Sequence, residues 1–271
     1  MSAKALIRIS AAAALAVLFG YPLIWMALTS LKTQPEMDAS AWALPSHVYL
    51  GNFERVFAQG WFLRYYLNSV LVCGVSVLVA SGAAAAAAYA FARLRFRGKE
   101  LVFLLLLGGM MVPVHVTLVP LYGLTDWLGI RNTVLALIGP YVAFALPVSV
   151  FILRAFFEAL PRDMEDAARI DGCSAAGAFW HVALPLAAPA LSTVFIFNFV
   201  TMWNEFVFAL TLTGGTAMTL PVGIWHVSTN FGADIPAVTA GLTAGVLPGL
   251  VVYFLAQRHI VRGLTAGALS G

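Results

Sequence analysis

The sequence contains very little charge. Asp, Glu, Lys and Arg together make up 10% of the 271 residues, whereas soluble domains carry about 25%. Hydrophobic residues make up 61%, and the mean hydropathy is +0.90. The composition therefore excludes an ordinary soluble domain and predicts an integral membrane protein.

Cysteine and histidine are too sparse and too dispersed to predict a metal or redox centre. The two cysteines, Cys73 and Cys173, lie far apart in the sequence, and neither has the spacing of a metal ligand. His115 and His181 have no second histidine or carboxylate at ligand spacing in their predicted helices. We therefore expect no metal site.

The sequence also lacks a motif for nucleotide hydrolysis. The pattern G-x-x-x-x-G-K-[ST], which cradles phosphates, does not occur, because Gly98-Lys99 is followed by Glu100 and lacks the earlier glycine. The net charge of +3 suits anionic lipid headgroups better than nucleic acid. We expect this chain to have no catalytic residue, to bind no cofactor and to have membrane lipid rather than nucleic acid as a partner.

Six uncharged apolar segments are long enough to span a bilayer, which takes about 20 residues. The first has 23 residues. A cleavable signal has an apolar region of only about 7–15 residues, so we expect this first segment to be retained. The sequence thus predicts an all-α membrane protein with a single transmembrane domain over residues 1–271. Its predicted helices cover approximately residues 9–31, 66–92, 101–123, 133–155, 187–210 and 237–257.

Proline and glycine predict the irregular parts of this fold. The segment before the sixth helix is uncharged but rich in glycine, and we expect an irregular outer loop at 212–236, shaped by Gly214, Gly215 and Pro221. Proline lacks an N–H group, so prolines within the spans predict kinks or breaks. These are Pro113, Pro120, Pro140, Pro147 and Pro248.

Lysine and arginine are distributed unequally between the two sides of the predicted spans. Under a six-helix count, eleven of the 15 fall on one side and four on the other. Basic residues stay preferentially in the cytoplasm. We therefore expect both termini, the loop at 156–186 and the tail at 258–271 to be cytoplasmic.

The loop at 156–186 concentrates acidic, basic and small residues between two apolar spans. Pro161 and the acidic residues directly after it favour a helix N-terminus. Gly172 predicts the end of that helix, and Ser174 predicts the N-cap of a second one. The first helix would present a small apolar face to a partner's groove. This face consists of Met164, Ala167, Ala168 and Ile170.

The spacing within this loop resembles the EAA loop of ATP-binding-cassette importer permeases. Asp166-Ala167-Ala168 is followed, after three residues, by Gly172 and, after nine more, by Val182-Ala183-Leu184-Pro185. The chain as a whole is similar to the shorter, maltose-type permease of the carbohydrate-uptake branch. Further matching motifs are Tyr89-Ala90-Phe91-Ala92-Arg93, Met111-Val112-Pro113, Val119-Pro120-Leu121-Tyr122, Trp203-Asn204-Glu205-Phe206, Leu220-Pro221-Val222-Gly223, Gln257-Arg258 and Gly263-Leu264-Thr265-Ala266-Gly267-Ala268.

The resemblance implies a multi-pass permease subunit in the cytoplasmic (inner) membrane of a prokaryote. Its expected partners are a second permease, two ATPase subunits that hold ATP and Mg²⁺, and an extracytoplasmic solute-binding protein that delivers a sugar or sugar-like solute. The loop at 156–186, here called the coupling loop, would contact an ATPase subunit. The residues to which the resemblance assigns this role are Glu165, Asp166, Ala167, Ala168, Asp171, Gly172, Leu184 and Pro185.

Two departures from the family pattern occur in the coupling loop. Aspartate, Asp166, stands where the motif usually opens with glutamate, although Glu165 directly precedes it, and Val182 replaces the usual isoleucine. Both changes preserve charge or shape. The sequence leaves open which of the two carboxylates contacts the partner.

Three other regions are candidates for function. Asn204 and Glu205, near the outer end of the fifth predicted span, either line a gate or bond to a neighbouring helix. In the resembling family, the outer loop with Gly214, Gly215 and Pro221 contacts the binding protein; a plain connector is the alternative. The tail either approaches the ATPases or anchors the chain at the membrane surface.

A secondary transporter of small polar solutes, driven by an ion gradient, is the alternative function. Such proteins usually carry ionisable residues deep in the bilayer. The predicted spans have none at mid-depth. No residue identifies which sugar, polyol or glycerol phosphate is carried.

Overall fold

Helices dominate the fold. The computed structural model describes the backbone of residues 3–170, 172–230 and 234–268, and within these ranges there is no β-strand. Shorter 3₁₀ segments lie at Gly109–Met111, Val114–Thr117 and Gly215–Ala217, and a π-helical segment at Phe179–Ala183. The α-helices are α1 (Ala3–Ser30), α2 (Gln34–Ala39), α3 (Gly51–Ala58), α4 (Trp61–Arg93), α5 (Lys99–Gly108), α6 (Leu118–Trp127), α7 (Leu135–Ala159), α8 (Asp163–Ile170), α9 (Ala175–Ala178), α10 (Leu184–Leu186), α11 (Ala188–Trp203), α12 (Val207–Leu212), α13 (Leu220–Asn230) and α14 (Ile235–Ala268).

Four of these helices are individually long and apolar enough to cross a membrane. They are Arg8–Ser30 within α1, all of α4, all of α7, and Ile235–Phe254 within α14. Two bent pairs pass the same criteria when each pair is taken as one span, namely Lys99–Met111 with Val114–Trp127 and Ala175–Leu186 with Ala188–Trp203. The described residues therefore contain four to six candidate spans, and the predicted all-helical membrane class is confirmed.

The apolar segment predicted as one helix at 101–123 is divided. Its two halves meet at an angle of 92° around Pro113. Val112, directly before the proline, has an extended backbone with ψ of 115°, as expected because the proline ring disfavours the helical conformation of the preceding residue. Pro113 thus breaks the segment, whereas α7 continues through Pro140 and Pro147.

The helix predicted at 187–210 is divided as well. The helix α11 ends at Trp203, and α12 begins three residues after Asn204. At its other end, α11 meets the preceding helical segment at 74°. The residue at this bend, Ala187, has ψ of 1° and lies two residues before Pro189.

The outer loop predicted at 212–236 contains the helix α13, so the expectation of an irregular loop is wrong for Leu220–Asn230. Pro221 occupies the first turn, where a proline needs no hydrogen-bond partner. Gly223 faces the ring of Tyr65, and a Cβ placed on it would lie 2.1 Å from the ring carbon Cδ2. The glycine therefore permits a close helix contact and does not mark an irregular backbone. Residues 231–233 of this loop lie outside the described residues.

The chain forms two compact units. The first comprises the residues up to Tyr66 together with Leu220–Leu247. In this unit Asn52 is fully buried and donates two hydrogen bonds, of 2.8 and 2.7 Å, to the backbone oxygens of Ser30 and Lys32. These bonds fasten the end of α1 to α3.

The second unit comprises Leu67–Thr219 and the segment from Pro248 onwards. Its core forms where the small-residue face of α4 packs against α7 and α11. A polar contact also joins α7 to α11, because the amide of Asn198 donates a hydrogen bond of 2.9 Å to the hydroxyl of Ser149. Both residues are buried. The small residues on the α4 face are Ala84, Ala85 and Ala88.

Candidate functional site

The first helix of the coupling loop, α8, ends in a Schellman motif at Gly172. The N–H group of Gly172 donates to the carbonyl of Arg169 at 3.0 Å, and that of Cys173 donates to the carbonyl of Ala168 at 2.9 Å. The φ angle of Gly172 is +90°, which residues other than glycine rarely adopt. The chain reverses here as the sequence predicts.

The second half of the loop begins with a capped helix. Ser174 has an extended backbone, and its hydroxyl accepts a hydrogen bond of 3.1 Å from the N–H group of Gly177. The helix α9 then widens into the π-helical segment Phe179–Ala183, where the N–H group of Leu184 bonds the carbonyl of Phe179. Ser174 is therefore the N-cap that the sequence predicts.

Glu165 points into the protein. Its carboxylate accepts a hydrogen bond of 2.6 Å from Nε of Arg93 and one of 2.8 Å from the hydroxyl of Tyr89. Arg93 also donates to the carbonyl of Leu160 at 2.8 Å. The side chains of Arg93 and Glu165 are only 5% and 6% exposed. Both oxygens of the Glu165 carboxylate are thus hydrogen-bonded within the chain.

Asp166, the next residue, points outward. Its side chain is 60% exposed, and its nearest cation is Arg169, at 3.7 Å on the same helix. Large apolar side chains are exposed beside it, including Met164 at 48% and Ile170 at 86%. We call the set Met164, Asp166 and Ile170 the α8 surface.

The other residues assigned to coupling differ in their exposure. Ala167 is exposed and Ala168 half-buried on α8, and their small side chains leave the helix backbone accessible. In the second half of the loop, Leu184 is half-buried against the core of its unit, whereas Pro185 is exposed. Asp171 lies outside the described residues.

The sequence motif includes Tyr89 and Arg93 but does not reveal that both bind Glu165. Their spacing of four residues was the one indication that they could share a partner. Residues four apart lie on the same helix face, and a basic side chain that is buried there is strongly destabilising unless it has an acidic partner. The loop supplied several carboxylates, so the choice of Glu165 depends on the tertiary structure.

Glu205 forms a second polar centre, at the junction of α11 and α12. Its carboxylate accepts hydrogen bonds from the N–H groups of Phe208 and Ala209, at 2.8 and 3.1 Å, and from the hydroxyl of Tyr141, at 2.8 Å. It therefore caps α12 and bonds to a neighbouring helix, which is the structural alternative that the sequence left open. Asn204 is exposed and bonds back to the carbonyl of Val200 at 2.8 Å.

A cavity of about 330 Å³ lies beside this centre. Its walls come from α7, α11, α12 and the 3₁₀ segment Val114–Thr117. Most of the lining is apolar, with aromatic rings from Tyr141, Phe144, Phe197 and Phe208, and His115, Asn198, Thr201 and Glu205 add polar groups. This mixture of apolar walls and a few polar groups is typical of small-molecule sites.

Gly214 and Gly215 lie in a turn that neighbouring elements hold in place. Gly215 has φ of +56° and is exposed. Asn68 of α4 donates hydrogen bonds of 2.9 and 2.8 Å to the carbonyls of Thr216 and Met218. A Cβ on Gly214 would lie 3.0 Å from the side-chain oxygen of Asn132. The turn is thus packed against its own unit.

A family model described as "Binding-protein-dependent transport system inner membrane component" matches residues 76–266. The chain belongs to this family. The matched range includes α8, the Glu205 centre and the cavity, so these features lie in a permease of ATP-binding-cassette transport. Members of the family are inner-membrane subunits of transport systems and are generally non-catalytic.

Two relatives and one solved structure resemble the permease over nearly its full length. A putative ABC transporter permease from Caldicellulosiruptor sp. is 44% identical, with 92% of this chain and 91% of the relative covered. The permease of a trehalose/maltose transport system from Thermococcus litoralis is 36% identical, with 99% and 98% covered. A crystal structure of a bacterial ABC transporter involved in alginate import matches with a TM-score of 0.83 at 20% identity, with 96% and 99% covered. At that identity the last match shows the fold alone.

Proposed function

We propose that the permease forms half of the translocation pathway of an importer for a sugar or sugar-like solute, and that its α8 surface docks on an ATPase subunit. The family is named for its dependence on binding proteins, and a relative covered almost end to end serves trehalose and maltose. In this proposal the bent helix pairs each cross the membrane, which gives six spans, and both termini and the coupling loop lie in the cytoplasm. The partners are a second permease, two ATPase subunits with their ATP and Mg²⁺, and an extracytoplasmic solute-binding protein.

The observation that carries the docking proposal is the division of α8 into two faces. Glu165 is turned inward and paired, whereas Met164, Asp166 and Ile170 are exposed. Exposed apolar side chains on a loop outside the membrane favour a protein partner. Since Glu165 is occupied, Asp166 is the carboxylate that we assign to the ATPase contact.

The docking proposal is tested with Asp166→Lys in the permease purified together with its partner subunits. We expect the ATPase subunits to be lost from the complex, while the permease still inserts into the membrane. Glu100→Gln is the matched control, because Glu100 is 61% exposed and paired with an arginine elsewhere in the chain. Retention of the ATPase subunits by the Asp166→Lys protein would refute the assigned contact.

Transport itself is tested by uptake of radiolabelled trehalose and maltose into vesicles with the complete complex. We expect uptake to require ATP and the binding protein, and to persist when an ionophore abolishes ion gradients. Uptake that instead requires an ion gradient and no ATPase subunit would support the secondary transporter.

The cavity beside Glu205 is our candidate for part of the solute pathway. Its lining is mainly apolar and aromatic, with polar groups from His115, Asn198, Thr201 and Glu205, a combination typical of small-molecule sites. Replacing Phe144, which lines the cavity, by tryptophan should reduce uptake by narrowing it. Unchanged uptake would exclude the cavity from the pathway.

A further inference from the structure

We infer that Glu165, Tyr89 and Arg93 form a clasp that fixes α8 to the end of α4, so that movement of the coupling loop is delivered first to α4. The inference rests on the proposed docking of α8 to an ATPase subunit. It assigns three positioning residues that act away from the docking surface. Their contacts also identify which membrane helix receives the movement.

The clasp is a buried ion pair supported by two further hydrogen bonds. Arg93 and Glu165 meet at 2.6 Å with side chains about one-twentieth exposed. Tyr89 bonds the second carboxylate oxygen, and Arg93 bonds the carbonyl of Leu160. Separating a buried ion pair leaves an uncompensated buried charge, which strongly destabilises the fold. The pair therefore resists separation of α8 from α4 while the loop moves.

The ring of Tyr89 also packs against the segments that precede and follow α8. It packs edge-on against Phe157 of α7, with centroids 5.6 Å apart. It also contacts Phe179 of the π-helical segment, at 5.0 Å. Tyr89 and Arg93 lie one helical turn apart on α4, so a single face of α4 holds the end of α7, the helix α8 and the second half of the loop.

The chain on either side of α8 passes through non-helical residues or bends before it reaches a membrane helix. Towards α7 the chain passes through Leu160, Pro161 and Arg162, which belong to neither helix. Towards α11 it reverses at Gly172, widens at Phe179–Ala183 and bends by 74° before α11 begins. Each of these joints can change its angle without breaking a buried ion pair. The clasp is thus the short connection between the loop and a membrane helix.

Distances between spin labels test the inference in the complex purified with its ATPase subunits. Labels are attached at Asp163 on α8 and Ala86 on α4, both exposed, after Cys73 and Cys173 are replaced by alanine. We expect the distance distribution to keep the same mean without nucleotide and after trapping with ADP and vanadate. In Glu165→Gln the distribution should shift or broaden on trapping, and ATP hydrolysis stimulated by the binding protein should fall at least about tenfold.

A milder variant keeps the test decisive if the Glu165→Gln permease does not assemble with its partner subunits. Tyr89→Phe removes one hydroxyl and retains the ring contacts, and we expect the same changes at smaller amplitude. Glu100→Gln serves as the control, because Glu100 also pairs with an arginine, Arg154, but its own side chain is exposed. A wild-type distance that changes on trapping, or variants identical to wild type, would overturn the clasp. A wild-type complex that fails to trap vanadate would instead refute the proposed function.

Discussion

The hydroxyl of Tyr141 donates a hydrogen bond of 2.8 Å to the carboxylate of Glu205. This bond joins the first third of α7 to the residue two positions before α12. The same carboxylate accepts the N–H groups of Phe208 and Ala209. A single acidic side chain therefore caps the start of α12 and joins it to α7.

Glu205→Ala should destabilise the permease by roughly 2–4 kcal/mol, because two backbone donors and one hydroxyl lose their acceptor. Tyr141→Phe should cost about 1 kcal/mol. Thermal unfolding in detergent measures both losses. Tyr122→Phe is the control, since Tyr122 is 42% exposed. Equal losses for the two tyrosine variants would show that the Tyr141 bond contributes nothing specific.

Gly223→Ala should destabilise the first unit by about 1–3 kcal/mol, because its Cβ would overlap the ring of Tyr65 and force it aside. The loss should shrink when Tyr65→Ala is added, since the overlap is then removed. Gly74→Ala in α4 is the control, because no atom lies within 4 Å of the added Cβ. Unfolding curves that show additive effects of Gly223→Ala and Tyr65→Ala would contradict this packing.

Gly172→Ala should weaken the end of α8 by about 1–2 kcal/mol, because φ of +90° is strained for alanine even though space is free. Gly172→Asn should cost less, since asparagine tolerates this region better. The hydrogen-exchange rates of two N–H groups measure the change: that of residue 172 and that of Cys173. Gly177→Ala is the control with its Cβ at ordinary contact distances of 3.5–3.7 Å. Equal protection in all variants would show that the turn tolerates any residue.

Glu36 should make the segment from Thr33 to Ser46 sensitive to acid. Hydrogen bonds from Ser46, and then from Thr33, lower the pKa of Glu36 from 4.5 to about 2. A lowered pKa in the folded state means that the stabilisation is fully present above pH 4.5 and is lost as the pH falls towards 2. The protection of the N–H groups of Thr33 and Ser46, measured as their hydrogen-exchange rates relative to the intrinsic rate at each pH, should fall over this range. Glu36→Gln should remove most of the pH dependence, and a wild-type profile that is flat below pH 4.5 would contradict the assignment.

Features that depend on a few neighbouring residues were predictable from the sequence. The turn at Gly172, the cap at Ser174 and the break at Pro113 each follow from a backbone rule that applies to one or two residues. The positions of these features needed no knowledge of distant parts of the chain.

Features that depend on distant contacts were not predictable. Glu165 and Asp166 are adjacent carboxylates with the same helix preference, and only the position of Arg93 on α4 separates their roles. Gly223 adds to the glycine-rich composition that predicts an irregular loop, and its contact with Tyr65, in a distant part of the sequence, is visible only in the structure. Local composition predicts how a segment bends but does not identify which helix packs against it.

The hydrogen bond between Asn198 and Ser149 also bears on how the permease is built. An amide entering the bilayer without a partner is costly. Ser149 belongs to the earlier helix, and its hydroxyl already donates to the carbonyl of Ala145 while remaining able to accept. Ser149 precedes Asn198 in the chain, so in the six-span arrangement that we propose the acceptor is synthesised before the amide that needs it.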